Sequence, residues 1–148
     1  MFHIIDDEAM LRELTSAMLV DYGYDVLCFE SGEQYLEYLK SPSFVKITAV
    51  LSDVTIPSIN GYDLALKIRK VTPLQKIILI TGNADAEHHQ EVAQQVCYTL
   101  NKPFNPEKLI AMIDIVNHEL IYRHARMLLS GIHSSLCPKK HGFPPSRE

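Results

Sequence analysis

Two stretches, "AVLS" (49–52) and "KIILIT" (76–81), are near-continuous apolar runs. A strand with one wet face alternates apolar and polar residues. A uniformly apolar run instead predicts a strand covered on both faces, as in a parallel sheet held between helices. Shorter strand-like runs are "FHII" (2–5), "DVLCF" (25–29) and "VCYTL" (96–100). Helical patterns separate them. Met10, Leu11, Leu14, Met18 and Leu19 recur at three- and four-residue steps before Gly23. Tyr35, Leu36 and Leu39 follow a Ser31 cap and precede Pro42, and Leu64, Ile68 and Val71 precede Pro73. Residues 84–96 are polar and weakly amphipathic, and the last pattern opens with Asn105 as cap and Pro106 in the first helical position. Five alternating βα units predict an α/β fold, a five-stranded doubly wound parallel sheet with helices on both faces.

The 148 residues suffice for one domain with a core. No apolar run approaches the roughly 20 residues of a membrane helix, and "MFHII" carries neither a basic region nor a cleavage site. The expected compartment is the cytoplasm. Cys28, Cys97 and Cys137 form no CxxC pair, which argues against a disulfide framework or a structural zinc site. Cys28 and Cys97 lie in apolar strand-like runs and are expected to be small buried thiols. Residues 1–120 hold 9 Lys+Arg against 17 Asp+Glu, a charge of −8, while 121–148 hold 5 against 1, or +4. The acidic body argues against nucleic-acid binding by the main domain.

In open α/β sheets, ligands bind beyond the carboxyl ends of the strands. The strand ends here deliver Asp6-Asp7-Glu8, Asp53, Thr81-Gly82 and Lys102-Pro103 to one rim. Carboxylates gathered there would raise one another's pKa unless a cation intervenes. A hard, oxygen-preferring dication resolves the conflict, and magnesium suits few carboxylates, retained waters and phosphate oxygens. Lys102 adds a compact positive charge and Thr81 a hydrogen-bond donor. Such a set suits phosphoryl transfer onto a carboxylate, which needs positioning and charge neutralisation above all. Each member alone is weak: "DD" after a strand is often a helix cap, and Asp53 before Pro57 is an ordinary turn residue. Their joint placement at four strand ends is far harder to obtain by chance.

The motifs "IIDDE" (4–8), "LSDVTIPSINGYDL" (51–64), "ILITG" (78–82) and "NKPF" (101–104) occur in the order found in receiver domains of two-component response regulators, and the chain resembles that family over residues 1–120. The resemblance implies a flavodoxin-like receiver fold of the single-domain, chemotaxis-regulator type. It implies Asp53 as phosphoacceptor, Asp7 as direct ligand of Mg2+ (or Mn2+), Asp6 assisting through water, and Thr55 offering its backbone carbonyl to the metal. Thr81 would be the hydroxyl that swings towards the phosphoryl group, Lys102 its cationic partner, and Lys102–Pro103 a cis peptide. A histidine kinase or histidine phosphotransfer protein would supply the phosphoryl group. A target protein would then read the surface over 85–120. On this reading the chain is a phosphoacceptor regulatory protein with self-dephosphorylation only, not an enzyme.

Three positions depart from the family pattern or vary within it. The family usually has an aromatic residue three positions before the lysine; here that residue is Thr99, and strand alternation would point Tyr98 to the opposite face. Either a shift of Thr99 replaces the aromatic swing, or coupling runs through the loop after Thr81. Thr55 and Asn83 hold the positions that tune loss of phosphate; small, polar Thr55 should admit a hydrolytic water, implying a moderate lifetime.

The last helical pattern runs past residue 120. Leu109, Ile113, Val116 and Leu120 are followed by Ile121, Ala125, Leu128 and Ile132, predicting a helix to about Ser130, ahead of Gly131. Residues 121–148 are thus expected to be a helical extension and a disordered tail. An amphipathic helix projecting beyond its domain must bury its apolar side. A second copy of the chain is the preferred cover, over folding back or docking a different partner. His118, His124, His133 and His141 are scattered and Cys137-x-x-x-His141 lacks further ligands, so solvated side chains are expected rather than a metal site. The rivals are a receiver-like interaction scaffold that is never phosphorylated and an aspartyl-phosphate hydrolase. Such hydrolases place a second carboxylate two residues after the nucleophile, where this chain has Thr55.

Overall fold

In the computed structural model, residues 1–44, 47–82 and 98–130 are described, the last twelve as helix backbone alone. Five strands, β1 (Phe2–Ile5), β2 (Val26–Phe29), β3 (Ala49–Asp53), β4 (Ile77–Thr81) and β5 (Tyr98–Asn101), form one sheet in the order β2-β1-β3-β4-β5. Every pairing is parallel, with Ile5 opposite Ser52, Asp53 opposite Ile80 and Thr81 opposite Asn101. Helices α1 (Ala9–Asp21), α2 (Gly32–Leu39), α3 (Gly61–Val71) and α4 (Pro106–Ser130) cover its faces. The helical pattern over 84–96, the first two residues of "VCYTL" with Cys97, and the tail beyond Ser130 with Ile132, Cys137, His133 and His141 lie outside the described residues.

Strand alternation divides the interior into two layers. Phe2, Ile4, Ala49, Leu51, Ile78, Ile80, Tyr98 and Leu100 pack with Leu19 of α1 and Leu109, Ile113 and Val116 of α4. Ile5, Phe29, Val50, Ile77 and Leu79 pack on the other side with Tyr35 and Leu39 of α2 and Leu64, Ala65 and Ile68 of α3. β3 and β4 are buried along their whole length, as their apolar runs require. The expected caps form. Ser31 Oγ accepts from the Gln34 N–H at 3.1 Å, Asn105 Oδ1 from Lys108 at 2.8 Å, and Gly23 leaves α1 at φ 89°.

Three expectations need correction. Met10 and Leu14 are exposed, at 75% and 51%; the inward stripe of α1 runs through half-buried Leu11 and Met18 and buried Thr15 and Leu19. A threonine takes a core-facing position there, so the apolar pattern alone is displaced by one residue. Val71 is exposed for a simpler reason, as it closes the last turn of α3. Cys28 is exposed rather than buried, because β2 is an edge strand at which helical cover ends. Lys76, written into the fourth apolar run, precedes β4 and is fully buried, its Nζ 5.8 Å from the centre of the Tyr98 ring.

Candidate functional site

The sheet order places the change of winding direction between β1 and β3, where a crevice opens beyond the strand ends. Asp6 follows β1 and Asp53 ends β3, one on each side of it. Both are 5% exposed, as is Thr81 at the end of β4, whereas Asp7 is exposed. Lys102 comes in from the far end of β5, 49 residues from Asp53 in sequence, and its Nζ donates to Asp53 Oδ2 at 2.9 Å. The other oxygen, Oδ1, accepts from the Thr55 N–H at 3.1 Å. The acid at the tip of the fully buried strand β3 thus has a cation on one oxygen and a backbone donor on the other, which is what a desolvated carboxylate requires.

Burial pushes the Asp6 carboxyl upwards, opposed by the Glu8 backbone N–H that its Oδ1 accepts at 2.9 Å. The negative charges of Asp53 and Asp7 raise it further, against Lys102. Mutual repulsion is therefore a property of this acid set, and a dication is the group that relieves it. Among the described residues, no three Asp, Glu, His or Cys side chains stand together as a ready-made cage. One or two carboxylates with several waters and room for phosphate oxygens are nonetheless the surroundings magnesium usually takes, and buried Asp6 and Asp53 flank the crevice. The donor chemistry fits.

The backbone of the site is held closely. Lys102 N–H donates to the Thr81 carbonyl at 2.8 Å, joining the ends of β4 and β5, and the Lys102–Pro103 peptide is cis. Between β3 and α3 the chain turns tightly: Ser58 has φ 72°, and the Ile59 N–H donates to the Pro57 carbonyl at 2.7 Å, a γ-turn geometry that favours glycine. Gly61 N–H donates to the Val54 carbonyl at 2.8 Å, and a Cβ on Gly61 would lie 2.6 Å from the Asp53 carbonyl oxygen. Gly61 therefore sets how close α3 comes to the backbone of Asp53.

On β5, Tyr98 is buried in the core and Thr99 is exposed, on opposite faces as alternation requires. Thr55 is exposed; Asn83 lies outside the described residues. His118 is exposed, its ring nitrogen 3.3 Å from the Asp114 carbonyl, and the side chain of His124 lies outside the described residues. One contributor went unseen in sequence. Arg12 Nη1 donates to the Asp6 carbonyl at 2.7 Å, from five residues beyond Asp7 on the first turn of α1. Its position, four residues and so one helical turn after Glu8, is the only signal the sequence carries for it.

The response regulator receiver domain model matches residues 2–114. The chain belongs to that family. It is 29% identical over 113 residues to the transcriptional regulatory protein FixJ of Bradyrhizobium diazoefficiens, covering 76% of this chain and 54% of FixJ. It is also 29% identical over 114 residues to the DNA-binding transcriptional regulator NtrC of Klebsiella pneumoniae, covering 75% of this chain and 23% of NtrC. The receiver thus spans about half or less of the length of these relatives. Among solved structures it is similar to chemotaxis protein CheY4 of Vibrio cholerae, with TM-score 0.69 and 27% identity over 78% of this chain and 96% of that one. It is also similar to response regulator TrrA of Thermotoga maritima in complex with Mg(2+)-BeF, with TM-score 0.67, 27% identity and the same coverage. The fold is the flavodoxin-like receiver fold, in a family of regulatory phosphoacceptors that bind Mg2+ at the phosphorylation site. Among the described residues no helix is long and apolar enough to cross a membrane.

Proposed function

We propose that this receiver is a phosphorylation-dependent signalling switch that accepts a phosphoryl group on Asp53 and controls a partner protein. The observation that carries this reading is the Lys102–Asp53 ion pair at 2.9 Å, set beside buried Asp6 at the β1/β3 crevice. The donor is a phosphohistidine of a kinase or phosphotransfer protein. A carboxylate oxygen of Asp53 forms the new P–O bond as the P–N bond breaks, and the departing imidazole keeps the electron pair and takes up a proton. Asp6, Asp7, Asp53 and the Thr55 carbonyl would hold magnesium, which when bound would neutralise charge on the phosphoryl oxygens. Lys102 exchanges its carboxylate partner for a phosphoryl oxygen, and the Thr81 hydroxyl donates to another.

Movement of Thr81 and Lys102 carries the ends of β4 and β5 with them, because the Lys102 N–H is bonded to the Thr81 carbonyl. The surface read by the target is that around 85–120, of which 98–118 is described with side chains. With Thr99 small and exposed, its shift or that of the loop after Thr81 transmits the change. Exposed Thr55 leaves water a path to the acyl phosphate, which gives a moderate lifetime. The receiver acts in the cytoplasm with its phosphodonor. Residues 121–130 continue α4 as helix, and their apolar positions Ile121, Ala125 and Leu128 pair two copies of the chain.

Incubation with acetyl phosphate and Mg2+, read by intact mass, tests the reading. One added phosphoryl group that is absent in Asp53→Asn supports it. Catalytic turnover of the donor without a bound group indicates a hydrolase, and no modification indicates a scaffold. Chase of the modified protein after donor removal measures the lifetime; persistence over many hours contradicts the role given to Thr55.

A further inference from the structure

The two members of the acidic pair are held in different ways. The carboxylate of Asp6 is fixed directly, its Oδ1 accepting the Glu8 N–H at 2.9 Å. Asp7 is exposed, and no hydrogen bond of its carboxylate is among those found in the described residues. With no such bond, its reach into the crevice depends on where the backbone places the root of the side chain and on which staggered rotamers that leaves open. The peptide linking Asp6 to Asp7 is planar, so fixing its carbonyl fixes the whole unit, including the N–H of Asp7. That carbonyl is the one Arg12 Nη1 grips at 2.7 Å. On its other side Asp6 is anchored to the sheet, its N–H donating to the Phe29 carbonyl at 3.2 Å. Arg12 is itself anchored, as its N–H donates to the Glu8 carbonyl at 2.9 Å in the first turn of α1. The guanidinium therefore closes a short loop, β1 end to α1 start, around the residue that must face the metal.

We infer that Arg12 is a positioning residue for divalent-cation binding: by clamping the Asp6–Asp7 peptide it aims the Asp7 carboxylate into the crevice. The inference rests on the metal reading of the site. Its physical alternative has the opposite sign. A guanidinium near a dication repels it, so if Arg12 acted through charge alone its removal would tighten Mg2+ binding. If it acts by geometry, removal loosens binding, since supporting contacts to metal ligands are typically worth about ten- to a hundredfold in affinity.

The test is calorimetric titration of the whole chain with Mg2+ alone, without phosphodonor. Arg12→Ala is expected to bind about tenfold more weakly, and Arg12→Lys, which keeps the charge and an N–H donor, to recover most of the loss. In an Asp7→Asn background Arg12→Ala should have little further effect, because the aimed carboxylate is already gone. Metal-free thermal melts establish that the variants are folded; if Arg12→Ala is not, Arg12→Met, which keeps an unbranched stem but has no N–H donor, is held to the same expectation. Unchanged or tighter Mg2+ binding on loss of the guanidinium overturns the inference, as does full additivity with Asp7→Asn. Absence of Mg2+ binding by the unaltered chain refutes the metal reading itself, a distinct result.

Discussion

His3 gives the most quantitative prediction. It lies in β1 with no exposed surface, ringed by Phe29, Tyr35, Tyr38 and Phe44 at centroid distances of 5.5 to 6.2 Å. Nδ1 shares a 3.0 Å hydrogen bond with the Tyr35 hydroxyl, while Nε2 has no partner among the described residues. Burial in this aromatic cage, with the amino terminus adding a smaller push, lowers its pKa from 6.5 to about 4. The same burial raises that of Tyr35. The unfolded chain therefore takes up a proton on His3 as pH falls through 6.5, whereas the folded chain resists until near 4. Acidification through that window favours the unfolded state. The shift from 6.5 to about 4 sets a limit of about 3.4 kcal/mol, at about 1.36 kcal/mol per unit. By linkage, about 2 kcal/mol of it is lost between pH 7 and pH 5.

The perturbation is the double replacement H3F/Y35F, which removes the titration and leaves no buried hydroxyl unpaired; swapping both partners for apolar rings of similar shape is close to neutral. Urea unfolding followed by circular dichroism at both pH values gives the difference between the two proteins, in which the opposite contribution of Asp6 cancels. The unaltered chain should lose about 2 kcal/mol more than the double variant on acidification. An equal loss in both proteins, or a His3 ring titrating near 6.5 by NMR, refutes the reasoning.

Three further outcomes follow from the site and the extension. Gly61→Ala should destabilise the fold by about 1–3 kcal/mol in urea titration and slow phosphorylation, because its methyl meets the Asp53 carbonyl and Val54 Cα rather than a yielding side chain. Lys102→Met should cost about 1–2 kcal/mol, a value discounted because Lys102 is 30% exposed, and most of that cost should vanish in an Asp53→Asn background, measured as a double-mutant cycle. Deleting residues 121–148 should convert a dimer to a monomer by light scattering; the same mass per particle before and after would remove the helical extension as the interface.

What was legible in the residues was whatever depends on local period and order. The near-continuous apolarity of 49–52 and 76–81 specified strands covered twice over, and the caps at Ser31 and Asn105 announced helix starts, because these signals act within a few residues. The candidate site was legible too, since Asp6, Asp53, Thr81 and Lys102 each stand at a strand end and a parallel sheet brings all such ends to one edge. The rest needed the tertiary structure. Thr15, not Leu14, faces the core, and Cys28 meets solvent, because burial depends on which strand lies at the edge and how each helix rolls against the sheet. Arg12 on the Asp6 carbonyl, Gly61 against the Asp53 backbone and His3 in its aromatic cage are contacts between separate segments. Only the packed chain sets those distances, and a spacing along the sequence does not encode them.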